Sequence, residues 1–187
     1  MQGVTDAEMN ARQRAIAAEI ARGPRGRVGT LMRLWLHSPD VAEHAQRLGG
    51  YFRLQDNVPG PLVEMVILLT ARKWRCEYEW VQHEPAARAK GLDDAIIEAI
   101  RREARPPFTD PAAAAVFDFA AAMLDRHGVD DATFSRLMAL YGPRGIVDLS
   151  VLIGHYIHGA ILLNAAGVGR GENVDPPFPT AAAPAAE

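Results

Sequence analysis

Cysteine is nearly absent: Cys76 is the only one in 187 residues. A single thiol excludes an intramolecular disulfide framework, a CxxC redox pair within the chain, a zinc knuckle and a Cys-ligated iron–sulfur cluster. Charge of one sign is not in excess either: 20 basic residues stand against 23 acidic ones, for a formal net charge of −3. Nucleic-acid binding needs a basic surplus, so no nucleic-acid partner is expected. The densest basic groupings, Arg72-Lys73 and Arg101-Arg102, are only pairs. No apolar run reaches membrane-spanning length uninterrupted. The most apolar stretch, Ile146 to Val168, carries Asp148, His155, His158 and Asn164, which suits a buried helix better than a lipid-facing one. Met1 to Asp6 contain neither a basic nor an apolar leader region, so no signal peptide and no membrane partner are expected and the chain reads as cytoplasmic. Glycine-rich phosphate loops are missing too: Gly167-Val168-Gly169 follows a helical run instead of opening one.

Strand-length alternation of β-branched residues is also missing. Helix punctuation is plentiful. Ser38-Pro39, Gly60-Pro61 and Asp110-Pro111 each pair a cap with proline at the first helical position, and Asp93 and Asp130 read as caps without proline. Gly49, Gly91, Gly128, Gly142 and Gly167 each follow an amphipathic run, where a left-handed C-terminal cap favours glycine. Between these marks helical spacing predicts segments at 5–22, 30–36, 39–48, 61–73, 76–90, 94–101, 111–127, 132–141 and 143–166. The expected fold is all-α, one domain of eight or nine helices over residues 1–168. Residues 169–187 form a proline- and alanine-rich tail without helical spacing, expected to be mobile or docked on a neighbouring subunit.

The segment from Val63 to Glu84 holds the densest chemistry. On one helix, at about 100° per residue, Cys76, Glu79 and His83 fall within an arc of roughly 60°, with Trp80 at its border as an aromatic wall. A thiol, a carboxylate and an imidazole on an inward face are costly unless paired. Glu64 is a fourth member if the chain reverses near Trp74-Arg75, since an antiparallel hairpin brings it close to His83. A Glu64–His83 contact would orient the imidazole, and Cys76 would then sit at a helix N-terminus, where the dipole favours thiolate. Lys73-Trp74-Arg75 contains neither glycine nor proline, and an unbroken helix would hold Glu64 and His83 apart. Plain structural roles stay open for each residue: a small buried hydrophobe for Cys76, a surface pair for Glu79 and His83. His155 and His158 lie on one side of a later helix. No third ligand stands at a familiar spacing, so they are expected to line the pocket or bond within the core, with no metal. Trp35 and His37 are candidates to wall the site, and Asn164 needs a buried partner.

The pattern Glu64-x11-Cys76-x2-Glu79-x3-His83 resembles the carboxymuconolactone decarboxylase and alkylhydroperoxidase-like superfamily. So do Cys76-Glu77-Tyr78-Glu79-Trp80 with Ala86, Ala89 and Gly91, and Gly142, Gly145, Val147, Leu149, Gly154, Tyr156 and Leu163-Asn164 further on. The resemblance runs from about Ile20 to Asn164. It implies an all-α fold, a helical hairpin carrying the site, and a homo-oligomer (dimer, trimer or hexamer). In the peroxidase branch a second cysteine falls where this chain has Glu79, and without it a sulfenic acid would need an outside thiol. The decarboxylase branch relies on acidic and histidine side chains and needs no cofactor. The resemblance thus implies a cofactor-free carbon–carbon lyase acting on a small organic acid or carboxylated lactone. His83, Glu79, Glu64 and Cys76 are its catalytic candidates, and Trp80, Tyr78 and His155 its substrate-binding ones. His83 is expected to act as general acid, oriented by Glu64 or Glu79. Tyr78 projects from another face of the helix and is expected to contribute only through a subunit interface. The same groups would serve an isomerase, a dehydratase or a retro-aldol enzyme. A one-cysteine peroxidase and a non-catalytic helical oligomer are the further alternatives.

Overall fold

The computed structural model describes residues 1–172 and 174–178. Among the described residues the chain is all-α, with eight helices and no strand: α1 (Ala11–Arg22), α2 (Thr30–Trp35), α3 (Pro39–Leu54), α4 (Gly60–Lys73), α5 (Glu77–Ala89), α6 (Asp94–Arg101), α7 (Pro111–Arg126) and α8 (Asp131–Ala165). Helix α4 is apolar on nearly every side and buries an unbroken run from Leu62 to Arg72. Such a helix can only be central, and it packs against α5, α6, α7 and α8. Met65, Leu68, Ile97, Val116, Leu137 and Leu149 join the main core around it. A second cluster, with Ile16, Ile20, Trp35 and Leu36, ties α1 and α2 to α3.

The acidic caps sit where expected. Asp93, Asp110 and Asp130 accept from the backbone N–H of Ala95, Ala112 and Thr133, each satisfying a donor that helix geometry leaves unpaired. Helix α1 begins later than its spacing predicts, because Asn10 and Gln13 form a reciprocal capping box there. Helix α8 bends at Gly142 (φ 62°, ψ −170°), which separates the two predicted segments 132–141 and 143–166. By length and composition α8 could cross a membrane, but half of its most apolar window is buried inside the fold.

Helix α3 departs furthest from expectation. It does not stop at Gly49 but continues to Leu54. Gly49 is a packing residue: a Cβ there would collide with Arg25 Nη2 and lie 2.7 Å from His155 Nε2. The glycine admits side chains arriving from two other segments.

The reversal between α4 and α5 is built without glycine or proline. Arg75 takes the left-handed conformation (φ 49°). The Cys76 N–H donates to Ala71 O (2.8 Å) and the Arg75 N–H to Arg72 O (3.1 Å), the paired closure that ends a helix in a tight turn. Asn164 finds its partner here, donating to Trp74 O at 2.9 Å.

The tail does not behave as a free or intersubunit segment as far as it is described. Phe178 is 4% exposed within the main core, edge-on to Trp80, with the Arg72 guanidinium 4.9 Å from its ring centre. Arg101 Nη1 donates to Pro177 O (2.9 Å). Burial of the ring against a buried indole offsets part of the entropy lost in ordering this segment. Residues 173 and 179–187, the rest of the expected tail, lie outside the described residues. Phe178→Ala is expected to lower stability by about 3 kcal/mol, read as a drop of roughly 6–12 °C in Tm. An unchanged melt would show that the docked tail contributes nothing.

Candidate active site

Helices α4 and α5 lie antiparallel, and the first consequence is a contact between Glu64 and His83. His83 Nδ1–H donates to Glu64 Oε2 at 2.8 Å, and Lys90 Nζ donates to Glu64 Oε1 at 2.8 Å. Glu64 is 4% exposed. Burial pushes its carboxyl up, but His83 and Lys90 together outweigh burial and hold it below the ordinary carboxylate range. An ionised Glu64 commits His83 to one tautomer, with Nδ1 protonated and Nε2 free to serve the pocket. The imidazole is largely enclosed, with its side chain 12% exposed, and Tyr156 packs edge-on to it at 5.1 Å.

One turn earlier on α5, Glu79 has the opposite surroundings. It is 3% exposed, and its Oε2 is buried with no hydrogen-bond partner. Burial alone pushes its carboxyl up to about 8. Gly159 on α8 makes room for it: a Cβ there would stand 2.5 Å from Glu79 Oε1. Two glutamates of one hairpin therefore differ at neutral pH, Glu64 ionised and Glu79 protonated.

Both α5 side chains open into a pocket of about 90 Å³, open to solvent, between α5, α8, α2, the end of α3 and the loop before α2. Tyr78, Glu79, Gln82 and His83 form its α5 wall, His155 and Tyr156 its α8 wall. His155 is held neutral: burial first, then the charge of Arg25, lowers its pKa to about 4. His158 stacks on Trp35 at 5.6 Å, and Trp35 also packs on His155, so this tryptophan backs the wall without lining it. His37 lies elsewhere, its Nε2 2.9 Å from Gln2 O. Among the described residues no group of three or more His, Cys, Asp or Glu side chains could hold a metal ion.

Two expected members fall outside the pocket. Cys76 is the N-cap of α5, so its side chain does not follow the helical wheel. It is fully buried with Leu34, Ala160 and Leu163. Burial, then the nearby Glu79, pushes its thiol up to about 12, so the helix N-terminus does not produce a thiolate. Trp80 turns into the core, its indole N–H donating to Glu84 Oε2 at 2.6 Å and its ring against Phe178 and Arg101. The pocket stripe of α5 is centred on Tyr78 and Glu79's side of the helix, away from Cys76 and Trp80. Tyr78 thereby lines the pocket within its own subunit, contrary to the interface role expected for it.

Sequence reasoning missed Arg25, Arg27, Arg53 and Gln82, all of which line the pocket. One local signal was there: Gly23-Pro24-Arg25-Gly26-Arg27-Val28-Gly29 sets two arginines in a glycine-rich connection between helices, and functional side chains concentrate in such loops.

The model of the carboxymuconolactone decarboxylase family matches residues 39–122, from the start of α3 into α7, and so includes the entire hairpin. No curated protein matches the chain.

The state of Glu79 has a consequence for stability. An unfolded glutamate releases its proton near pH 4.5, whereas folded Glu79 keeps it to about 8. Between these values folded Glu79 holds a proton that the unfolded residue has lost, so the contribution of Glu79 to stability falls as pH rises. The slope is at most about 1.4 kcal/mol per pH unit. The contribution is complete below about pH 4.5 and lost as pH rises through 8. Glu79→Gln should flatten the dependence of the urea midpoint on pH across this window, and an unchanged slope in the variant would assign the proton elsewhere.

Proposed function

We propose, for a chain whose residues 39–122 match the model of the carboxymuconolactone decarboxylase family, a cofactor-free lyase that decarboxylates a small carboxylated lactone or a related acid. The observation that carries this reading is Glu79: a buried, unpaired carboxyl that holds its proton at neutral pH, one turn from an imidazole oriented by Glu64.

Loss of carbon dioxide from an acid conjugated to a carbonyl breaks one carbon–carbon bond and leaves its electron pair as an enolate. The enzyme must keep that charge away from bulk water and deliver a proton to carbon. Glu79 supplies the proton. His83, with Nδ1–H committed to Glu64, returns a proton to Glu79 through Nε2, with solvent as the source. The net change is one carboxylate and one proton converted to one carbon–hydrogen bond and carbon dioxide. This assigns the general-acid step to Glu79 instead of His83, because burial leaves Glu79 protonated in the working pH range. Isomerisation, dehydration and retro-aldol cleavage share the enolate and would use the same pair. A cysteine peroxidase finds less support, since Cys76 lies outside the pocket with its thiol protonated.

The outer face of α8 supports an oligomer. Val147, Val151 and Ile161 are exposed there at helical spacing, with Gly154 and His158 between them, and apolar side chains exposed along one helix face favour association. Val151→Glu should shift the mass measured by light scattering towards the monomer. Unchanged mass would place any interface elsewhere.

The catalytic reading is tested by screening carboxylated, unsaturated lactones for carbon dioxide release. His83→Gln and Glu79→Gln should each lower kcat by about 100-fold or more while the far-ultraviolet circular dichroism stays unchanged. In the wild type, kcat/KM should fall as pH rises through about 8, where Glu79 loses its proton. Cys76→Ala should turn over normally. Full activity in His83→Gln, or hydroperoxide consumption that depends on Cys76, would refute the assignment.

A further inference from the structure

The pocket lining is unbalanced in charge. Three arginines line it, Arg25, Arg27 and Arg53. Glu79 holds its proton and His155 is neutral. Glu64, the nearest carboxylate, stands behind His83 and is already matched by Lys90. Arg27 is engaged with Gln82 Oε1 at 3.0 Å. Arg25 and Arg53 make no ion pair and no hydrogen bond among the described residues, and Arg25 Nε is buried without a partner. Most other arginines of this chain have a carboxylate: Arg12, Arg33, Arg47, Arg72, Arg88 and Arg101 all do. A half-buried guanidinium that forgoes both a counter-ion and full hydration is costly unless a ligand supplies the missing acceptor.

The surroundings of Arg25 are built to seat it. Its Nη2 rests over Gly49, where a Cβ would collide with it, and His155 Nε2 stands over the same glycine. The helix carries glycine here, at a position where alanine is the better helix former. We propose that Arg25, seated on Gly49 and seconded by Arg53, is the receptor for a carboxylate of the substrate. A guanidinium offers a planar fork of N–H donors that matches two carboxylate oxygens, which a point charge would not. Arg25 is therefore a positioning and specificity residue: it selects acids over their neutral analogues and holds the reacting carbon towards Glu79 and His83. This inference rests on the acid/base reading only for the claim that the ligand is a substrate.

The test uses direct binding to the full chain, so that it does not depend on turnover. The probe is 5-oxooxolane-3-carboxylate, a saturated lactone acid without the conjugated acceptor needed for decarboxylation, against its carboxamide, by isothermal titration calorimetry. The wild type should bind the acid at least 10-fold more tightly than the amide. Arg25→Gln should weaken the acid by about 10- to 100-fold and leave the amide unchanged, a selectivity change that a purely structural role would not produce. Gly49→Ala is the second variant: it displaces the guanidinium while suiting the helix, and should lose the same preference with circular dichroism intact. His83→Gln should keep the preference. Equal binding of acid and amide by the wild type, no binding of the acid, or an undiminished preference in both Arg25→Gln and Gly49→Ala would overturn the proposal. Turnover surviving in His83→Gln would instead remove the acid/base reading, with the acid-to-amide ratio still judging Arg25.

Discussion

The contact between Glu64 and His83 exists because α4 and α5 fold back on each other within three residues, and most of the site follows from that reversal. The turn places Arg75 in the left-handed region, closed by the Cys76 N–H on Ala71 O. A non-glycine residue there is strained by about 1 kcal/mol. Burial of α4 on nearly every side is what holds the strained turn in place, since separating α5 from it would expose Trp80 and Ala87 along with the aliphatic side chains of α4. Asn164 secures the turn from α8. The same reversal fixes which way α5 faces, and so decides that Glu79 and His83 look into the pocket while Trp80 looks into the core.

Two carboxyls of one hairpin illustrate how environment sets chemistry. Glu64 is buried with a cationic and an imidazole donor and stays ionised; Glu79 is buried with neither and stays protonated. Neither state follows from the residue type. Desolvation acts on both, and the outcome turns on whether hydrogen-bond donors offset it. Two carboxyls pushed to opposite protonation states by their surroundings are what the proposed acid/base reading draws on.

Glycine does structural work at the pocket that capping rules do not anticipate. Gly49 reads as a helix stop, yet it lies inside α3 and clears space for Arg25 and His155. Gly159 clears space for Glu79. Glycines at 91, 142 and 167, by contrast, do adopt positive φ at helix ends. A helical glycine and a capping glycine look alike in one sequence, and what distinguishes them is which side chains approach from elsewhere.

Much of the architecture was legible in the sequence alone. Acidic caps, proline at the first turn and helical spacing act over a few residues, so they located the helices; the spacing of Glu64, Glu79 and His83 suggested a hairpin, but Lys73-Trp74-Arg75 left an unbroken helix open. Local rules could not say that α3 passes through Gly49 or that Phe178 returns to the core, because both depend on partners far along the chain. They could not decide the fate of Cys76 either: its place at the start of α5 argued for a thiolate, and its burial with Leu34, Ala160 and Leu163 reversed that. The pocket's arginines come from the loop before α2 and from the last turn of α3, brought together only by packing. Local sequence decides which groups are available, through interactions between near neighbours; tertiary structure decides which of them are dried, paired or left unpaired, because desolvation depends on everything that surrounds a group.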